Sequence, residues 1–203
     1  MQRKHLVRTT ALLCAALGAY ALTLAQNAAP DSPREAAKLG SAAPDFKLKD
    51  TFGKEFTLSE FKGRPVVLEW INQDCPVSRG AHEKSKMQDV YKKYADKGVI
   101  WLGVDSTYNM TAERNRVYAA RMGLAYPILM DTDGQVGRLF QAKRTPHMFV
   151  IDKSGTLVYD GAIDDKKDQN YVAAALDDLL AGRTVSKPKT DAYGCGIKYA
   201  PAR

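Results

Sequence analysis

The sequence predicts an α/β domain, a central mixed sheet flanked by helices with a β-hairpin at its N-terminal end. Three stretches carry that expectation. Residues 66–71, Val-Val-Leu-Glu-Trp-Ile, form a mostly apolar run of strand length, the pattern of a strand covered on both faces. Asn72-Gln73-Asp74-Cys75-Pro76, an amphipathic stretch ending at Gly98 and a second apolar run over 99–104 follow it. Strand, crossover helix and strand imply parallel pairing. Later, Met148-Phe149-Val150-Ile151 and Thr156-Leu157-Val158-Tyr159 flank Asp152-Lys153-Ser154-Gly155, a hairpin signal that adds antiparallel strands.

The elements follow in order. Residues 1–25 read as a secretory signal: a basic start with Arg3, Lys4 and Arg8, an apolar run too short to span a bilayer comfortably, and small residues near Ala25 and Ala28. An uncleaved anchor is the competing reading, and only then is membrane contact expected. Either way the domain is expected in an exported, periplasmic or other extracytoplasmic space that permits disulfides. Residues 26–37 are rich in Ala and Pro and read as a linker. The domain is expected over 38–182. Phe46-Lys47-Leu48 and Glu55-Phe56-Thr57-Leu58 alternate around Thr51-Phe52-Gly53-Lys54, a first hairpin.

The pattern then predicts one helix over 77–97, with Val77, Ala81, Met87, Val90, Tyr91 and Tyr94 inward and Gly98 as its stop. On that reading His82 lies at the surface among polar residues. Thr111 caps a helix that ends at Gly123, which explains Asn109-Met110-Thr111 better than glycosylation does. A short strand over 126–130, a turn and a short helix over 136–140 come next. Asp168 is the expected cap of a last helix with Val172, Ala175 and Leu176 inward. Residues 183–203 are a tail holding Cys195 between Gly194 and Gly196, a loose backbone that leaves the sulfur easy to reach.

Charge and composition narrow the function. Formal charge is +7, and removing Arg3, Lys4 and Arg8 with the leader leaves +4. Lys and Arg are scattered without aromatic interleaving, so no nucleic-acid partner is expected. No cofactor is expected. Two cysteines remain outside the leader, Cys75 and Cys195. Pro76 suits the first turn of a helix, which sets Cys75 at the helix N-terminus. There the free N–H groups and the helix dipole favour thiolate, the nucleophilic form.

The same order resembles the thioredoxin fold, and the motifs resemble the redoxin branch of the alkyl hydroperoxide reductase/thiol-specific antioxidant (AhpC/TSA) family. Ala43-Pro44-Asp45-Phe46, Gly53, Thr57-Leu58, the entry 62–68, Cys75-Pro76, Thr145-Pro146 and Phe149-Val150-Ile151-Asp152 carry the likeness. The resemblance implies a thiol oxidoreductase that acts on a peroxide or a protein thiol or disulfide and is recharged by a thiol reductant. It implies a cis Pro146 against Cys75, with Thr145 and Arg144 at the substrate. It implies for Glu69, six residues before Cys75, either a general base or a structural carboxylate.

The chain also departs from the pattern. The thioredoxin Cys-x-x-Cys becomes Cys75-x-x-Ser78, so Ser78 can lend a hydroxyl hydrogen bond but closes no disulfide. Where peroxiredoxins place Thr or Ser before the attacking cysteine stands Asn72, a candidate donor to the thiolate, and Leu68 holds their proline position. Arg144 or Arg79 would supply their arginine. By analogy with two-cysteine relatives Cys195 would resolve Cys75; a free thiol, an intersubunit bond and a structural bridge stay open. Two alternatives are a Cu(I) carrier using Cys75 and His147 and a non-catalytic binding module.

Overall fold

The computed structural model describes residues 35–201; the expected leader lies outside them. Along the chain run β1 (Lys47–Asp50), β2 (Glu55–Thr57), β3 (Val66–Trp70), α1 (Pro76–Glu83), α2 (Lys86–Ala95) and β4 (Ile100–Asp105). Then come α3 (Ala112–Met122), β5 (Ile128–Met130), α4 (Gln135–Leu139), β6 (Arg144–Thr145) and β7 (His147–Ile151). Last are β8 (Leu157–Gly161), α5 (Tyr171–Leu180) and β9 (Cys195–Gly196). Seven strands form one mixed sheet in the order β2-β1-β5-β4-β3-β7-β8, while β6 and β9 pair separately.

β3 is central because it is apolar on both faces. It pairs parallel with β4 and antiparallel with β7, and all five of its residues are buried. Alternation along the strand divides its side chains between two cores. Val67 faces Met87, Tyr94, Trp101, Val172 and Leu176. Val66, Leu68 and Trp70 face Phe46, Leu102, Phe140 and Phe149. The first hairpin closes on Asp50, whose carboxylate accepts the N–H groups of Phe52 and Lys54, and it joins the sheet through β1 and β5.

Three expectations change. The helix predicted over 77–97 is two helices, because Ser85 takes φ 54 between them. Glu83-Lys84-Ser85 is wholly polar, and the Gln88 side chain donates to the His82 carbonyl at 2.9 Å and the Met122 carbonyl at 2.8 Å. That satisfies the end of α1, a bend that apolar spacing does not register. The cap of α5 is Asn170, whose Oδ1 accepts the Ala173 N–H at 2.8 Å; Asp168 stands two residues too early. Asn170→Ala is expected to cost about 1 kcal/mol in urea unfolding, and Asp168→Ala less than about 0.5 kcal/mol.

The third change is the tail, whose backbone is not loose around Cys195. The Thr190 N–H donates to the Asp160 carbonyl of β8 at 3.2 Å. β9 pairs antiparallel with β6. Tyr199 donates its hydroxyl to the Ala142 carbonyl at 2.8 Å.

Candidate active site

The site begins where β3 runs out. The Asn72 carbonyl accepts the Cys75 N–H at 3.1 Å, and Asn72 Oδ1 accepts the Asp74 N–H at 2.7 Å. These bonds fold a tight turn that delivers Cys75 as the N-cap of α1, with Pro76 in the first helical position. Asp74 is gripped by both carboxylate oxygens from Arg114 Nη2, at 2.9 Å each, which ties the turn to α3. Asn72 thus shapes the turn through its side-chain oxygen, and among the described residues no hydrogen bond runs from its side-chain NH2 to the Cys75 sulfur. Ser78 acts through its backbone: its N–H points to Cys75 Sγ at 3.4 Å, while its hydroxyl oxygen faces the Asn72 N–H at 3.5 Å.

Cys75 is only 2% exposed. Its S–H donates to the Thr145 carbonyl at 3.1 Å, and the Thr145-Pro146 peptide is cis. Strand pairing sets Thr145 opposite Cys195. This brings the second cysteine to the first, near enough for each thiol to influence the acidity of the other. Neither Cys75 nor Cys195 is joined in a disulfide.

The surroundings pull the two thiols apart in acidity. Burial works to push Cys75 up. The neighbouring Cys195 thiol, Thr145 and the Ser78 N–H outweigh it, so Cys75 lies below its ordinary value. Cys195 is pushed up, first by the neighbouring Cys75 thiol, then by burial and by the charge on Cys75. A thiolate beside a protonated thiol is the arrangement a nucleophile and its resolver need. Iodoacetamide alkylation of Cys75 is therefore expected to rise with pH through a midpoint below that of a free cysteine, about 8.5. Cys195→Ala removes the neighbouring thiol and should move that midpoint up.

Behind this pair lies a network that sequence reasoning missed. Glu69 is fully buried. Its Oε1 meets His82 Nε2 at 2.7 Å, and its Oε2 accepts Trp101 Nε1–H and the Tyr126 hydroxyl at 2.9 Å each. His82 Nδ1 meets the Tyr118 hydroxyl at 2.6 Å. Burial first, then the charge of Glu69, pushes Tyr118 and Tyr126 far above the ordinary phenol range. Both therefore stay neutral hydroxyls. The indole can only donate, and with a neutral imidazole held by the Glu69 carboxylate at Nε2–H the network reads as Tyr118 O–H to His82 Nδ1 and His82 Nε2–H to Glu69.

His82 is therefore no surface residue. It shares the buried face of α1 with Ser78 and Ala81, and that i, i+3, i+4 spacing was the available signal. Glu69 makes no hydrogen bond to either cysteine among the described residues. Its bonds tie β3 to α1, β4 and the segment before β5, which supports the structural reading of its carboxylate.

The remaining candidates separate in the same way. Arg144 is exposed on β6, and Arg79 pairs with Glu83 at 3.7 Å; neither bonds to the Cys75 sulfur. His147 is turned from Cys75. Its Nε2 meets Asp160 at 2.8 Å and its Nδ1 accepts the Lys143 N–H at 3.1 Å. With both ring nitrogens taken, His147 has no lone pair for the copper expected of a carrier.

The comparisons with known proteins agree with this geometry. Residues 39–160 match the AhpC/TSA family. The chain is 33% identical over 156 residues to thiol-disulfide oxidoreductase ResA of Geobacillus kaustophilus, covering 76% of this chain and 85% of that one. A crystal structure of an uncharacterized conserved protein from Geobacillus kaustophilus superimposes with TM-score 0.74 at 27% identity, over 82% of this chain and 94% of that one. Peroxidoxin BcpB of Mycobacterium tuberculosis gives TM-score 0.54 at 25% identity, over 71% and 95%. A thioredoxin-like fold, a cysteine at the N-terminus of α1 and a match over most of the domain lead to one conclusion: the chain belongs to the AhpC/TSA family and is a thiol oxidoreductase.

Proposed function

We propose that this protein exchanges disulfides with protein substrates through Cys75 and Cys195 of one chain. The observation that carries the reading is the pairing of β6 with β9, which sets Cys195 opposite Thr145, the residue whose carbonyl accepts the Cys75 S–H. Cys75 thiolate attacks one sulfur of a substrate disulfide. The substrate S–S bond breaks, one substrate sulfur leaves as thiolate, and a Cys75–substrate mixed disulfide forms. Cys195 gives up its proton and attacks the Cys75 sulfur, which releases the second substrate thiolate. The substrate gains two electrons, and the protein holds a Cys75–Cys195 disulfide until a thiol reductant reopens it.

Thr145 and cis Pro146 wall the sulfur on the side from which a substrate arrives, and Ser78 and Asn72 hold the turn that presents it. On this reading the protein is exported, to an oxidising space that supplies disulfides to act on. On this reading residues 1–25 are a leader, 26–37 a linker, 38–182 the catalytic domain and 183–203 a functional part of the site. Peroxide is the second reading, favoured by the peroxidoxin among the similar structures. The test gives reduced protein either a disulfide-bonded protein or hydrogen peroxide under identical conditions. Cys195→Ser should trap a Cys75 mixed disulfide with the protein substrate. Faster oxidation by peroxide, with no trapped complex, would replace disulfide exchange by peroxidase chemistry.

A further inference from the structure

Cys195 reaches Cys75 by strand pairing. Thr145 stands opposite Cys195 and Arg144 opposite Gly196, while the Thr145 carbonyl also accepts the Cys75 S–H. The edge of β6 therefore fixes the direction from which a sulfur meets Cys75. An extended polypeptide that presents a cysteine through main-chain pairing needs that same edge and register. In this chain β9 already holds it.

The seating is specific. Gly194 has φ 118, and a Cβ there would stand 2.2 Å from the Thr145 carbonyl oxygen. Upstream, the chain is pinned to β8: the Asp160 N–H donates to the Pro188 carbonyl at 3.0 Å, and a Cβ on Gly161 would stand 2.1 Å from Thr190 Oγ1. Downstream, the Tyr108 N–H donates to the Lys198 carbonyl at 3.0 Å and Arg138 to the Ala200 carbonyl at 2.7 Å. Between these anchors the pairing over the sulfur is two residues long, with Gly196 exposed. Firm ends and a short middle describe a strap that can lift without unfolding the domain.

We infer that the chain's own 194–197 segment, seated on the edge of β6 at Arg144 and Thr145, is the resident competitor of the extended, cysteine-bearing substrate segment that the family resemblance places at that edge. This rests on the reading of Cys75 as nucleophile. Substrate and tail exclude each other. The segment docks as β9 lifts, and its mixed disulfide with Cys75 forms while Cys195 is displaced. Re-pairing of β9 returns Cys195 to the Cys75 sulfur, breaks the mixed disulfide and expels the substrate from the edge.

The test uses full-length protein carrying Cys195→Ser, so that mixed disulfides accumulate. It is compared with the same protein carrying Gly194→Ala in addition, and with one carrying Tyr199→Ala, which loosens the strap away from the sulfur. Two probes share one chromogenic aromatic thiol as leaving group: a linear peptide with its cysteine capped by that thiol, and the small symmetric disulfide of the thiol. Both loosened proteins should raise the ratio of peptide rate to small-disulfide rate on the order of tenfold, because the docking edge is freed. If both probes react in all three proteins and the ratio is unchanged or lower, tail and substrate do not share the edge. If neither probe reacts with any of them, Cys75 is not the nucleophile and the inference falls with it. If Gly194→Ala fails to fold, Tyr199→Ala alone decides.

Discussion

Cys75→Ser is expected to reduce thiol–disulfide exchange to background, a loss on the order of a thousand-fold or more. Every feature that makes a nucleophile converges on this one atom. Cys75 caps the N-terminus of α1, the Ser78 N–H points to its Sγ, and the neighbouring Cys195 lowers its pKa further. Cys195 has no such setting: it sits on a two-residue strand, and its thiol is pushed up rather than down. Serine fits the same space and can accept the Ser78 N–H, so the fold is expected to survive and the loss to be chemical.

Cys195→Ser should behave differently, giving one equivalent of leaving thiolate per chain and then stopping. Stopped-flow release of a chromogenic thiol separates the two variants. No release from Cys75→Ser and a single burst from Cys195→Ser is the expected pair of traces. Steady turnover by Cys75→Ser would remove the assignment of Cys75.

The second large effect is on stability. Glu69→Leu is expected to cost on the order of 3–5 kcal/mol, and to lower Tm by roughly 6–20 °C. The carboxylate is completely buried and receives three donors, from His82, Trp101 and Tyr126. Leucine fills a similar volume and accepts none of them. The indole N–H has no freedom to turn elsewhere, and His82 would be left with one unmet ring nitrogen inside the core. Glu69→Gln keeps an acceptor and should lose less. Thermal unfolding of the three proteins, with the alkylation rate of Cys75 followed alongside, distinguishes support from catalysis. A structural Glu69 predicts a large Tm loss in Glu69→Leu with the alkylation midpoint of Cys75 unmoved. An unchanged Tm with a shifted midpoint would instead make Glu69 a proton-transfer group.

The sequence pointed to the frame because the frame rests on local patterns. The apolar run of β3, the Cys75-Pro76 junction, the Thr111 cap and the hairpin of β7 and β8 each carry their cause within a few residues. What was illegible is long-range. The break at Ser85 depends on Gln88 reaching Met122. The burial of His82 depends on acceptors and donors brought from β3 and α3. The pairing of Cys195 with Thr145 joins residues far apart in the chain through two strands too short to leave a periodic signal. Flanking glycines read as looseness in the sequence. In the fold Gly194 is what allows the tail to pass close to the Thr145 carbonyl.

The measurement that bears most directly on the central claim is the disulfide map of the oxidised protein. Reduced full-length protein is treated with one equivalent of a small disulfide, blocked, digested without reduction and analysed by mass. The expected product is a monomer lighter by two hydrogens, with the Cys75 and Cys195 peptides joined within one chain. A monomer that keeps both thiols free, or a dimer linked through Cys195 with Cys75 unmodified, would contradict the account.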